Sequence, residues 1–447
     1  MLHGAIWNKI PLFALPVAAT AILEQLFNAS DIAIVGNFTG AQRTAAVAAV
    51  GANSPIISLL VNLFVGIALG ANVVIAHAIG QGDKNTVKKA VHTSILVSLL
   101  GGVLVAALGE LAAAPLLRLL QVPDDVFPLA LLYLRIYLLG MPVILLYNFE
   151  AAIFRSVGET KIPLLALAVS GVVNVALNLF FVAVLGMTVN GVAIATVISN
   201  ALSSAILYFR LRTTAREVHV EPHLLRIDLG ILKRILRIGL PAGIQSGVFS
   251  LANIIIQSAI NSLGTVVMAA SSAAFNIEIF TYDIVNAFGQ ACTTFVGQNF
   301  GAGELKRCKK TLLLCLAEGA VILLAAIALI ISFGKPLLSI FNSDPEVIDI
   351  GYIRVMLVVS AHFFSMLYEV MSGYLRGFGI SLGPAILTMI GVCMVRLLWI
   401  QFVFPLSRTF RTIMLVYPVS LSLTALMIFV ALLCTRPARR FAKKADA

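Results

Sequence analysis

Twelve long apolar runs, separated by short polar and turn-forming stretches, account for nearly the whole chain. They fall at about 10–36, 46–79, 90–112, 127–151, 162–185 and 188–211, then at about 232–261, 265–298, 311–333, 347–372, 382–405 and 411–435. Each is long enough to cross a bilayer as an α-helix, which takes roughly 20 apolar residues. The breaks carry turn chemistry: Gly80 to Asp83, Pro123 to Asp125, Gly158 and Glu159, Gly301 to Glu304, and Ser343 to Pro345. The pattern predicts an all-α polytopic membrane protein with twelve transmembrane helices. The longest polar stretch, about 212–230, divides them into two sets of six. The expected organisation is an N-terminal six-helix bundle over 1–211, a cytoplasmic linker over 212–231, a C-terminal six-helix bundle over 232–435 and a basic cytoplasmic tail over 436–447.

The two sets repeat one another. Ile79-Gly-Gln-Gly-Asp-Lys-Asn-Thr-Val-Lys-Lys89 realigns with Phe300-Gly-Ala-Gly-Glu-Leu-Lys-Arg-Cys-Lys-Lys310 at an offset of 221. The same offset pairs Tyr147 with Tyr368, Arg155 with Arg376, Gly158 with Gly379 and Pro163 with Pro384; Leu15-Pro16 answers Leu240-Pro241 after a few gaps. Six spans per copy is an even number, so both copies enter the membrane from the same side. That implies a parallel repeat about an axis along the membrane normal, with a central cleft between the halves, an architecture of transporters.

Composition agrees. Of 447 residues, 60% are hydrophobic and 11% charged, with a mean hydropathy of +1.01. Soluble proteins carry about 25% charged residues, so a soluble enzyme, a disordered chain and a disulfide scaffold are all excluded. The net charge of +11 is explained by topology: with Lys9 inside, 23 of the 31 Lys and Arg fall in loops on that same side. The positive-inside rule then puts both termini in the cytoplasm. The tail residues Arg436, Arg439, Arg440, Lys443 and Lys444 read as an anchor on anionic lipid headgroups, with no need for nucleic acid. The five cysteines form no C-x-x-C pair and read as small packing residues. The first apolar stretch reads as a span, not a signal peptide. No P-loop, dinucleotide fingerprint, zinc-protease motif or nucleophile elbow occurs in a suitable context. No enzyme activity and no cofactor are expected, and energy must come from an ion gradient or from the cargo's own.

Ionisable groups inside a span are costly and demand a reason. In the first span, Glu24, Asn28 and Asp31 share a face, and Pro16 permits a bend. A buried carboxyl without a neighbouring cation can take up and release a proton; the plainer alternative is an Asp that only ties helices together by hydrogen bonds. Asn174 and Asn178 lie one turn apart on the fifth span, with Ser170 one turn before, and Thr196 and Asn200 repeat that spacing on the sixth. In the second half, Glu278 and Asp283 fall in the eighth span, His362, Ser365 and Glu369 share a face of the tenth, and Arg396 lies in the eleventh without a partner in its own helix. An ion pair of Arg396 with Glu369 or Glu278 is the expected structural alternative. Gln245 precedes a ridge of Asn253, Gln257 and Asn261, read equally as helix glue or as cleft lining. Arg155 and Arg376 read as helix caps and lipid anchors.

Several segments resemble the MATE (multidrug and toxic compound extrusion) family. They are Gly80-Gln-Gly-Asp-Lys-Asn85, Val296-Gly-Gln-Asn-Phe-Gly-Ala-Gly303, and the paired Phe154-Arg155-Ser-Val-Gly158 with Pro163 and Leu375-Arg376-Gly-Phe-Gly379 with Pro384. Phe154 departs from the family's leucine but stays apolar. The resemblance covers essentially the whole chain. It implies that Asp31, Asn174, Asn178 and Thr196 form an ion-coupling site, although some branches carry Asp where Asn178 stands. One carboxylate fewer weakens a sodium cage, whereas a proton needs only Asp31, so proton coupling is favoured with sodium at the same residues as the alternative. Glu278 and Glu369, with Asp283, Arg396, Gln245 and Gln257, form the candidate substrate or second coupling site. The implied function is secondary antiport, exporting amphipathic organic cations for protons or sodium, by a monomer in the plasma membrane whose partners are small-molecule cargo and lipid. A flippase of lipid-linked precursors and a narrow-substrate metabolite exporter are the alternatives. A flippase typically wants a strongly cationic cleft, and only Arg135, Arg354 and Arg396 fall within spans.

Overall fold

A computed structural model describes residues 1–445, without the side chains of Ala41 and 442–445. The described residues are helical, with no strand among them. The first half contains α1 (Lys9–Phe38), α2 (Arg43–Gln81), α3 (Lys84–Leu119), α4 (Phe127–Leu139), α5 (Met141–Ser156), α6 (Lys161–Asn178) and α7 (Val189–Thr213). The second contains α8 (Leu229–Asn261), α9 (Thr265–Gly301), α10 (Leu305–Ser332), α11 (Gly334–Phe341), α12 (Pro345–Arg354), α13 (Ser360–Gly377), α14 (Leu382–Thr388), α15 (Val395–Leu398), α16 (Phe410–Met414), α17 (Val416–Thr435) and α18 (Pro437–Ala445). π-Helical turns interrupt the spans at Leu179–Val184, Val355–Val359, Met389–Met394 and Trp399–Val403.

Ten of the described helices are long and apolar enough to cross a membrane, or eleven if α4 and α5 count as one span. The span expected over 127–151 is that pair, bent by 51°. Gly140 ends α4, and Pro142, lacking an N–H, opens α5. The remaining expected span, 265–298, is α9, a helix of 37 residues whose Glu278, Asp283 and many Ser, Thr, Asn and Gln keep it below the apolarity of the others. Repeat-related loops fold alike: Gly82 and Gly303 take φ of +69° and +76°, Gly158 and Gly379 take +87° and +78°. These left-handed positions explain the glycines in the repeated motifs.

The chain packs as two compact units, one of Ala19–Gly243 and the other of Met1–Ala18 with Ile244 onward. This division differs from the one expected at 212–231: the boundaries fall inside α1 and α8, in each case two residues after Pro16 or Pro241. In the first unit the start of α8 lies against α2 through two Gly-x-x-x-Gly pairs, Gly66 with Gly70 and Gly239 with Gly243. A Cβ on Gly70 would stand 2.7 Å from Gly239 N, and one on Gly239 would stand 2.6 Å from Ile67 Cα. Only glycine permits such backbone approach. In the second unit, Ala14 and Ala18 of α1 share a core with Ala287 and Ala291 of α9, and Phe13 meets Phe295 edge-on at 5.8 Å.

The polar stretch between α7 and α8 is docked, not loose. Val218 and Val220 are buried in the first unit's core, Lys88 Nζ donates to Glu221 Oε1 at 2.6 Å, and Asp228 caps α8 through Ile231 N at 3.0 Å. Of the basic tail, 446–447 lie outside the described residues, as do the side chains of Lys443 and Lys444.

Candidate functional site

The i, i+4 spacing of Asn174 and Asn178 places both amides on one buried face of α6, and α1 brings Asp31 to meet them in the first unit. Asp31 is 5% exposed and Asn178 fully buried. Asn178 Nδ2 donates to Asp31 Oδ1 at 2.6 Å and to Asn174 Oδ1 at 3.1 Å. The hydroxyl of Thr196 of α7 has two acceptors within reach of its one hydrogen, Asp31 Oδ2 at 3.2 Å and Val192 O at 3.0 Å. Asn174 Nδ2 continues the network to Ser199 Oγ at 3.3 Å. The four residues proposed together from sequence therefore do meet. No cation among the described residues is ion-paired with Asp31. Asn178 Oδ1 is buried and accepts no hydrogen bond among the described residues. Immediately after Asn178 the helix widens into the π-turn Leu179–Val184, a feature often found at functional sites.

Glu24 and Asn28, on the same predicted face, are exposed and make none of these bonds, and Asn200 turns its amide back to Thr196 O at 2.9 Å. Sequence reasoning missed Ser199, and it missed Glu150, a fully buried acid on α5 whose Oε2 accepts from Ser204 Oγ at 3.0 Å. An acid inside an apolar run was the available signal for Glu150.

In the second unit the candidate residues do not form one site. Glu278 is paired with Arg354, not with Arg396: Nε and Nη2 of Arg354 reach its two oxygens at 2.8 and 2.6 Å, and Nη1 donates to Ser271 at 2.6 Å. Glu369 pairs with Arg376 seven residues on in α13, which is buried and so is not a lipid anchor. Both expected pairings of Arg396 are thus overturned, because α12 brings Arg354 to Glu278 and the i, i+7 spacing within α13 brings Arg376 to Glu369. Arg396 donates instead to Asn253 Oδ1 at 3.1 Å and lies 4.3 Å from the ring centroid of Tyr417. Asp283 and Gln245 are buried, while Gln257 is exposed and bonds Asn261 of its own helix at 2.8 Å. His362 is tied to Thr281 Oγ1 at 2.6 Å. No cluster of three or more His, Cys, Asp or Glu suited to a metal occurs among the described residues.

The MatE family profile matches residues 16–180 and again 241–400, once for each copy of the internal repeat. The chain is 28% identical over 397 residues to the probable multidrug resistance protein YoeA of Bacillus subtilis, covering 87% of this chain and 85% of that one. It is 26% identical over 314 residues to an FAD transporter of Shewanella oneidensis, covering 68% and 69% of the two chains. A crystal structure of MATE in the bent conformation superposes with a TM-score of 0.89 at 21% identity, covering 98% of this chain and 97% of that one.

Proposed function

Because the chain belongs to the MatE family of membrane transporters, we propose that it exports amphipathic organic compounds in exchange for protons, with Asp31 as the group that binds the proton. The observation carrying this reading is the buried Asp31–Asn178–Asn174 relay, closed by Thr196 and without a paired cation. As a carboxylate, Asp31 accepts at both oxygens, from Asn178 and from Thr196. A proton on Oδ1, the oxygen that faces the Asn178 amide, turns that oxygen into a donor. The Asn178 amide then has to rotate so that its Oδ1, which now accepts nothing, receives that proton. Rotation takes Nδ2 away from Asn174 Oδ1, so one proton rewires hydrogen bonds among α1, α6 and α7. Thr196 needs no rotation, since its hydroxyl retains Val192 O as an acceptor. We infer that α1 answers by bending near Pro16, where the helix lacks a backbone donor.

The unsatisfied Asn178 Oδ1 also supports a second reading, in which sodium is the coupling ion and binds Asp31, Asn178 and Thr196 oxygens. The cargo class is left broad. Expectation of an organic cation drew on Glu278 and Glu369, whose charges are matched by Arg354 and Arg376, and one relative is named an FAD transporter. The Lys and Arg distribution supports both termini on the cytoplasmic side of the plasma membrane, and nothing in the mechanism requires more than a monomer.

The test is export from proteoliposomes under an imposed proton or sodium gradient, wild type beside Asp31→Asn. Loss of gradient-driven export in Asp31→Asn, with binding of cargo retained, is the expected result, and the effective gradient identifies the ion. Full coupling in the variant would sink the reading.

A further inference from the structure

The polar cluster around Asp31 has a counterpart in the second copy of the repeat. At the offset of 221, Ser199 corresponds to Ser420 and Thr196 to Tyr417, while Arg396 stands one residue beyond the counterpart of Asn174. The local geometry repeats with it. Asn174 Nδ2 donates to Ser199 Oγ at 3.3 Å, and Arg396 Nε donates to Ser420 Oγ at 3.5 Å. A π-turn follows each, Leu179–Val184 and Trp399–Val403. The charge is inverted: a carboxylate centres the first cluster and a guanidinium the second.

Arg396 is 5% exposed, and no carboxylate among the described residues reaches ion-pair distance of it; Glu278 and Glu369 are committed elsewhere. A guanidinium has one donor on Nε and two on each Nη. Here Nε meets Ser420 at the limit of a hydrogen bond, one Nη1 hydrogen meets Asn253 Oδ1, and the ring of Tyr417 supplies an aromatic face. These neutral contacts repay only part of the cost of holding a full charge out of water. Asn253 is itself exposed, so the guanidinium lies one hydrogen bond beneath an open surface.

We propose that Arg396, with Asn253, Tyr417 and Ser420, is a binding site for the anionic group of an organic anion, a carboxylate, sulfonate or phosphate ester, carried as export cargo. The free Nη donors suit two oxygens of such a group. The identity of the anion as cargo rests on the exporter reading above; its binding does not.

The experiment uses the full chain in phosphatidylcholine nanodiscs, with carboxyfluorescein as the anionic probe, ethidium as the cationic one, and anisotropy as the readout. Wild type should bind carboxyfluorescein saturably, Arg396→Gln at least about tenfold more weakly, and Arg396→Lys in between. Ethidium binding should be the same in all three. Asn253→Asp covers the case in which Arg396→Gln does not fold. It gives the guanidinium an internal carboxylate, so it should abolish carboxyfluorescein binding while leaving the unfolding temperature equal or higher. Absence of saturable binding to wild type, or undiminished binding to Asn253→Asp, overturns the proposal. Phosphatidylglycerol nanodiscs separate two sources of the anion. Retained binding there supports soluble cargo, and lost binding assigns the site to a lipid headgroup and overturns the cargo assignment. Carboxyfluorescein binding unaffected by Asp31→Asn, in a variant that also keeps full coupling, would fail the proton reading and leave this one standing.

Discussion

Two buried acids in this chain have opposite fates. Asp31 is held by an amide and a hydroxyl, which leave its charge adjustable, whereas Glu278 is locked by the two-pronged grip of Arg354. Removing one member of a buried pair leaves the other unmatched, which typically costs about 3–5 kcal/mol, while replacing both with apolar or neutral groups is often close to neutral. Glu278→Gln should therefore lower the stability of the purified protein by that order, and Glu278→Gln with Arg354→Met should recover most of it, as read by thermal unfolding in detergent. A single variant as stable as wild type would show that water reaches the pair. The sequence allowed the Asp31 cluster to be assembled because spacing within a helix fixes which residues share a face, as for Asn174 and Asn178. It did not allow the partner of Glu278 to be named, because that choice depends on how each helix is rotated against its neighbours. The i, i+7 spacing of Glu369 and Arg376 was there to be read, but Arg376, taken from sequence as a lipid anchor, turns inward instead.

At the scale of elements, the apolar runs gave the helices and the repeated Gly-Gln-Gly-Asp and Gly-Ala-Gly-Glu motifs gave their junctions, since both signals are local. The bend at Gly140 and the docking of the 212–231 stretch were not legible, because a 51° break and the burial of Val218 and Val220 are decided by packing. The close approach of α2 and α8 is decided in the same way, and it can be tested. A side chain on Gly70 has nowhere to go, with Gly239 N at 2.7 Å from the position of its Cβ. Gly70→Val should destabilise by at least about 1–3 kcal/mol, the usual cost of overpacking. Gly51, in the same helix, has no neighbour within 4 Å of a Cβ. Gly51→Ala should be neutral or gain about 0.5–1 kcal/mol from reduced backbone freedom in the unfolded chain. Thermal unfolding of the two variants side by side separates close packing from glycine content, and equal behaviour would refute the backbone contact.

The whole molecule is organised by an exchange of helix ends that a linear reading of two six-span sets does not reveal. Hydropathy reports how long a helix is, not which core receives each end of it. Residues 1–18 lead into and begin the first span of the first set, yet Ile6, Ile10, Phe13 and Ala14 are buried in the same core as Phe288, Phe295, Cys292, Cys308 and Cys315. The consequence is specific: damage at the very start of the chain should be felt some 280 residues later. Phe13→Ala removes an aromatic ring from that core, a change that typically costs about 3–5 kcal/mol. Cys292, Cys308 and Cys315 are buried beside it, Cys393 is buried in a separate core of the same unit, and Cys434 is exposed. Maleimide should therefore label wild type at Cys434 alone. In Phe13→Ala, labelling should extend to Cys292, Cys308 and Cys315 while Cys393 stays protected, as read by peptide mass mapping. Had the N-terminal segment belonged to the first set, which contains no cysteine, the same substitution would leave all four buried thiols as they are.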